Sequence, residues 1–251
     1  MTTSKTPTQT TATITSTTCQ SLWDKAYPII IKETEKHPFL VSMVDGTLEE
    51  NNFRYYVQQD VLYLKDFIYC LRQLSLKKAS TTKDKKLLCD LADGAEEVEI
   101  ALHQSYIKQW NTNGEQQEQE QMPNTLLYTS YMRRIIDGSD TTYGEGLAAL
   151  LPCFWVYMHV GNCMLKLRDE LDKTNNNDSS NQLLRPKHYN DWIDTYAGDE
   201  FENDVNNYIQ LVNDELQQLK QIEDHFMMAC KLEHMFWDQA ITMMEWPATT
   251  I

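Results

Sequence analysis

The stretch LAALLPCFWVYMHVG, residues 147–161, sets Pro152 beside Cys153 in a segment apolar enough to be a buried helix. A proline inside a helix removes a backbone donor and costs about 3 kcal/mol. Two explanations fit such a helix. Either it is a kinked core helix with an inert thiol, or the bend opens space for a reactant to reach the sulfur. Tyr157 stands one turn on and shares the face of Cys153.

Two carboxylates interrupt apolar rows elsewhere. Phe53, Val57, Leu64, Phe67 and Leu71 recur at helical steps, and Asp60 falls in the same row with Tyr63 three residues on. An ionised carboxylate facing a core is costly unless it is paired. Periodicity leaves two readings open for Asp60: an acid at the stripe's edge or bonded to a neighbouring helix, or a functional group. Glu233 sits likewise among Ile222, Phe226, Cys230, Phe236, Trp237 and Ala240, where a structural ion pair is the simpler account. Two inward acids on separate helices and a thiol also make a set for nucleophilic and acid–base chemistry. Tyr196, where a helix ends before Ala197-Gly198, is placed to border a cleft.

Metal chemistry is not expected. Glu33 and His37, like Glu99 and His103, are four residues apart, and no Glu-x-x-His pair of the carboxylate-bridged bundles occurs. His159 and His234 stand singly, and none of the 6 histidines is marked as a haem ligand.

The elements that must position these groups read as helices. With 8 Gly and 7 Pro in 251 residues, punctuation is sparse. Beyond the N-terminal tail no run alternates in the manner of a half-buried strand. Helices are predicted over Ser21–Lys36, then directly after Thr47 as the N-cap of a Thr47/Glu50 capping box, and over Thr82–Trp110, Pro123–Ile136 and Leu147–Leu171. Three more follow: Tyr189–Tyr196, a helix behind an Asp199/Glu202 capping box to Leu219, and Ile222–Met244. The division is a Thr/Ser-rich disordered tail, residues 1–20, and one all-α domain, residues 21–251.

A net charge of −15 and the lack of a basic face exclude nucleic acid and anionic membrane surfaces as partners. No apolar run is expected to reach bilayer-spanning length. The 6 scattered cysteines, without a CxxC, suit reduced thiols in the cytoplasm.

In order along the chain stand HPFLVSMVDGTLEENNFRYYVQQDVLYL, Tyr128-Thr129-Ser130, LAALLPCFW, DWIDTYAGDEF and LEHMFWDQA. This ordered set, covering roughly residues 22–244, resembles the TenA family of thiaminase II or aminopyrimidine aminohydrolase enzymes, in its cysteine-containing type. The resemblance implies a heme-oxygenase-like helical bundle without haem, assembled as a homotetramer, that needs no cofactor. It implies a hydrolase of thiamin salvage, releasing hydroxymethylpyrimidine from aminomethylpyrimidine or cleaving thiamin. Carried over residue by residue, Cys153 is the nucleophile and Glu233 the catalytic acid. Asp60, Tyr63, Tyr128, Tyr196 and Phe236 hold the substrate. The rival expectation is a non-catalytic helical protein that binds a pyrimidine or regulates. The segments near 137–144 and 172–188 look long for the family, which would shift preference toward a modified, for instance N-formylated, aminopyrimidine if they border the pocket.

Overall fold

The computed structural model describes residues 19–79, 81–100, 106, 120–175, 185–215 and 220–247. Helix α1 (Cys19–Ala26) passes through a π-helical turn, Tyr27–Ile31, into a last turn at Lys32–Thr34. Then follow α2 (Pro38–Asp45), α3 (Glu50–Lys77), and α4 (Thr82–Gly94), which runs into a π-helical turn at Ala95–Ile100. The remainder are α5 (Pro123–Asp137), α6 (Tyr143–Asn175), α7 (Lys187–Tyr196), α8 (Asp199–Glu215) and α9 (Lys220–Thr242). Among the described residues there is no strand, as expected for an all-α, heme-oxygenase-like bundle. The predicted tail falls almost wholly outside the described residues, and α1 begins at Cys19, two residues before the expected start. The end of the helix predicted to reach Trp110 also lies outside them, as do 176–184 of the segment near 172–188 and the expected helix end at Leu219.

Thr47 does not cap α3: its N–H and hydroxyl both donate to Asp45 Oδ1, closing the turn that Gly46 makes at φ 76°. The helix begins later, at Glu50, with no side-chain cap. Asp199 lies inside the first turn of α8 rather than ahead of it. A capping box does occur at Thr142, where the sequence reading saw only a turn. Glu145 N donates to Thr142 Oγ1 at 3.3 Å, and Thr142 N donates to Glu145 Oε2 at 2.7 Å. It starts α6 at Tyr143, so the segment read as long near 137–144 is a five-residue connection, 138–142.

Helix α6 is the axis of the bundle and packs against α9, α8, α7, α2, α5 and α3. Its length corrects one expectation. Tyr143–Thr174 is long and apolar enough to cross a membrane, but 72% of its most apolar window is buried inside the protein. The apolar character therefore serves the core. The rows read from sequence are the buried rows: Phe53, Val57, Leu64, Phe67 and Leu71 on α3, and Ile222, Phe226, Cys230, Phe236, Trp237 and Ala240 on α9, are each at most 2% exposed.

Buried polar side chains set the register between helices. Gln239 on α9 accepts from the Asn124 and Thr125 N–H groups at 2.7 and 3.3 Å, and donates to Thr125 Oγ1 at 2.7 Å. That lock holds the first turn of α5 one turn before Tyr128. Gln59 on α3, next to Asp60, accepts from Met122 N at 2.8 Å. Trp192 Nε1 donates to Tyr56 Oη at 3.1 Å, tying α7 to α3. Gly161 lets α7 end against α6, because a Cβ there would meet the Tyr196 carbonyl carbon at 2.6 Å.

Candidate active site

Four helical segments meet at a small internal cavity lined by Asp60, Tyr63, Leu64, Phe67, Cys153, Phe154, Tyr157, Tyr196 and Phe201. Its free space, about 10 Å³, is room for a single water. Asp60 and Tyr63 come from α3, three residues apart on its core face. Cys153 and Tyr157 come from α6, one turn apart, and Tyr196 from the last residue of α7. Helix α6 continues unbroken past Pro152, whose ring nitrogen has no proton to give the Ala148 carbonyl.

Asp60 is 2% exposed, so it is an inward acid and not one at the stripe's edge. Glu233 is 1% exposed and stands behind the cavity wall. Tyr128 Oη donates to Glu233 Oε1 at 2.7 Å. The Tyr63 ring links this pair to the cavity, lying 5.0 Å from Tyr128 and 5.6 Å from Phe236 between centroids. Tyr128 and Phe236 therefore back the wall rather than form it. The seven site residues carried over from the family converge: four on the cavity, three directly behind it. Sequence reading missed Phe67, Leu64, Phe154 and Phe201 as lining. They carry no polar mark: Leu64 and Phe67 belong to the buried row of α3, and only the packing of the helices sets them and the other two on a cavity.

Burial sets the protonation state of Glu233. Burial pushes Glu233 up to about 8; the Tyr128 hydrogen bond opposes this and the nearby Asp60 charge adds to it. At neutral pH Glu233 is therefore largely protonated and able to give a proton. Burial raises the Tyr63 phenol well above its ordinary value, reinforced by Cys153, Tyr128 and Glu233. Tyr157 is raised the same way, with Tyr56, Glu233 and Asp60 adding to burial. Both phenols stay neutral, as donors and apolar faces. Elsewhere burial pushes Cys19 and Cys70 to about 12 and Cys230 well up, which makes them inert thiols.

Aromatic rings build the rest. Tyr157 lies 4.9 Å from Tyr196, and Tyr196 lies 5.2 Å from Phe201 between centroids. Phe154 and Phe201 also face a second, larger pocket of about 300 Å³, rimmed by Asp194, Asp199, Glu200 and Asp204. These two rings thus form the partition between the small cavity and a recess outside it.

A sequence model of the TENA/THI-4/PQQC family matches residues 23–243. The chain is 31% identical over 232 residues to an aminopyrimidine aminohydrolase of Halalkalibacterium halodurans, covering 90% of this chain and 96% of that one. It is 29% identical over 224 residues to the enzyme of the same name from Bacillus subtilis, covering 86% of each. A TenA homologue from P. horikoshii superposes with a TM-score of 0.72 at 26% identity, covering 89% of this chain and 98% of that one. With a match over nearly its whole length, the chain belongs to the TENA/THI-4/PQQC family.

Proposed function

We propose that this protein is an aminopyrimidine aminohydrolase of thiamin salvage, which hydrolyses aminomethylpyrimidine to hydroxymethylpyrimidine and ammonia through Cys153. The observation that carries the reading is the meeting of Cys153 and Asp60 on one aromatic-walled cavity, with a protonated carboxyl, Glu233, directly behind it. The names of the H. halodurans and B. subtilis relatives support the substrate class.

The chemistry follows from the substrate. Its leaving group hangs on a methylene attached to an electron-poor ring. The Cys153 thiolate adds to a ring carbon while Glu233 delivers a proton to a ring nitrogen. The ring's electrons then expel the amine, which takes the proton given up by the Cys153 thiol and leaves as ammonia. Water adds to the exposed methylene carbon, its second proton goes to the departing sulfur, and the ring regains aromaticity. Glu233 recovers its proton in that last step. Asp60 accepts hydrogen bonds from the aminopyrimidine edge, Tyr63 and Tyr196 stack on the ring, and Tyr128 and Phe236 hold that wall in place. A cavity with room for one water must widen to admit the ring, so Phe201, Tyr196 and Phe154 part on binding. Thiamin enters the same scheme with thiazole as the leaving group.

A homotetramer, a cytoplasmic setting and a tail separate from residues 21–251 belong to the same proposal. The −15 charge supports small-molecule rather than nucleic-acid partners.

Incubating the purified chain with aminomethylpyrimidine is expected to release hydroxymethylpyrimidine and ammonia in equal amounts, with Cys153→Ser and Glu233→Gln folded but slow. Tight pyrimidine binding without turnover would instead establish the non-catalytic rival. Light scattering on the same sample reads the assembly.

A further inference from the structure

Helix α6 carries a second set of reactive side chains on its outer half. His159 and Cys163 are one turn apart there, and the end of α1 brings Glu35 against them. His159 Nε2 lies 2.7 Å from Glu35 Oε1 and 3.7 Å from Cys163 Sγ. The three ligand atoms all lie within 4.8 Å of one another. Cys163 follows Cys153 by ten residues, about 15 Å along the helix, so this cluster is separate from the cavity.

The arrangement does not suit a proton relay. A relay through histidine uses both ring nitrogens, one toward the acid and one toward the nucleophile. Here the carboxylate and the sulfur converge on the same nitrogen. Convergence of N, O and S donors on one point is the geometry of a shared cation. The surroundings fit that role. Trp23 and Tyr27 pack edge-on to the His159 ring at 5.0 and 6.1 Å between centroids and fix its plane. All three ligands are partly exposed, so an ion has a way in.

A second grouping, His37, His234 and Asp238, offers a contrast. His37 Nδ1 accepts from Phe39 N at 3.1 Å, so its Nε2 carries the proton, pointing at Asp238 Oδ1 3.2 Å away. With one nitrogen capping α2 and the other protonated, His37 has no lone pair for a metal.

We propose that Glu35, His159 and Cys163 form a site for a divalent transition-metal ion of the zinc class, pinning the end of α1 to the central helix. Nitrogen, oxygen and sulfur donors together favour a borderline-soft ion, and three protein ligands leave a fourth position for water. On binding, the ring proton moves from Nε2 to Nδ1 and the thiol proton leaves to solvent. One thiolate and one carboxylate then balance the charge of the ion. The site holds α1 and is independent of the proposed hydrolysis.

Cobalt(II) titration of the metal-free full-length chain tests this. One equivalent is expected to bind with a near-ultraviolet sulfur-to-cobalt band and the release of about one proton. Zinc is expected to displace the cobalt and to raise Tm. The band disappears in Cys163→Ser, and affinity falls roughly tenfold or more in Glu35→Gln and His159→Gln. Should Cys163→Ser fail to fold, the His159 and Glu35 variants carry the test. No stoichiometric binding, or a band that survives in Cys163→Ser or is lost in Cys153→Ser instead, would overturn the site.

Discussion

Tyr128 and Glu233, 105 positions apart in sequence, share a 2.7 Å hydrogen bond inside the bundle, with the phenol donating to the carboxyl oxygen. That bond favours the ionised carboxylate, whereas burial, the larger influence, favours the protonated acid and sets Glu233 near 8. If the protonated form is the proton donor, kcat/KM falls as pH rises through about 8. Tyr128→Phe removes the opposing bond, so its alkaline limb is expected at higher pH than in the wild type. A pH–rate profile checks this; a limb that stays put or moves down would separate Glu233 from the acid role.

The same shift bears on stability. Glu233 binds its proton more tightly folded than unfolded, so its contribution is full below about 4.5 and is lost progressively as pH rises to about 8. A glutamine side chain at this position does not titrate. The Tm of Glu233→Gln relative to the wild type is therefore expected to climb between those two values and then level off. Its kcat is expected to be about 10²- to 10⁴-fold lower. Parallel Tm curves would show that the carboxyl titrates alike in both states.

Cys153 is the half-buried thiol on the cavity, whereas Cys19, Cys70 and Cys230 are buried and held protonated. Brief alkylation at pH 8 followed by peptide mapping is expected to label Cys153 ahead of those three, and added hydroxymethylpyrimidine to slow that labelling. Cys153→Ser is expected to lose roughly 10³-fold or more in turnover, on the scale of nucleophile deletions. Equal labelling with and without ligand would place the sulfur outside the binding site.

Gly161→Ala tests how α7 delivers Tyr196. In most helix interiors alanine is the better residue by about 1 kcal/mol. Here the added methyl meets backbone atoms of Tyr196 and Ala197 at 2.6–2.9 Å, which cannot swing aside. The substitution is expected to destabilise by about 1–3 kcal/mol and to raise KM more than it lowers kcat. An unchanged or higher Tm with normal KM would show that the α6–α7 contact has slack.

Much of this protein is written in its sequence, and the reasons are local. Apolar periods mark the buried faces of α3 and α9, because a helix repeats its face every three to four residues. An acid breaking such a row is visible for the same reason, and so Asp60 and Glu233 stood out. Family motifs then added roles to Cys153, Tyr63, Tyr128, Tyr196 and Phe236 that no spacing implied.

Other features depended on partners distant in the chain. Thr47 and Glu50 have the spacing of a capping box, yet Asp45 takes the threonine's donors and the box forms at Thr142–Glu145 instead. His159 read as a solitary histidine, because nothing in its neighbourhood announces Glu35, 124 positions away. Which aromatics wall the cavity and which back it, and that Glu233 is protonated in the field of Asp60, were likewise decided by packing. Burial and charge separation are properties of three-dimensional proximity. A chain encodes them only through the helices it brings together.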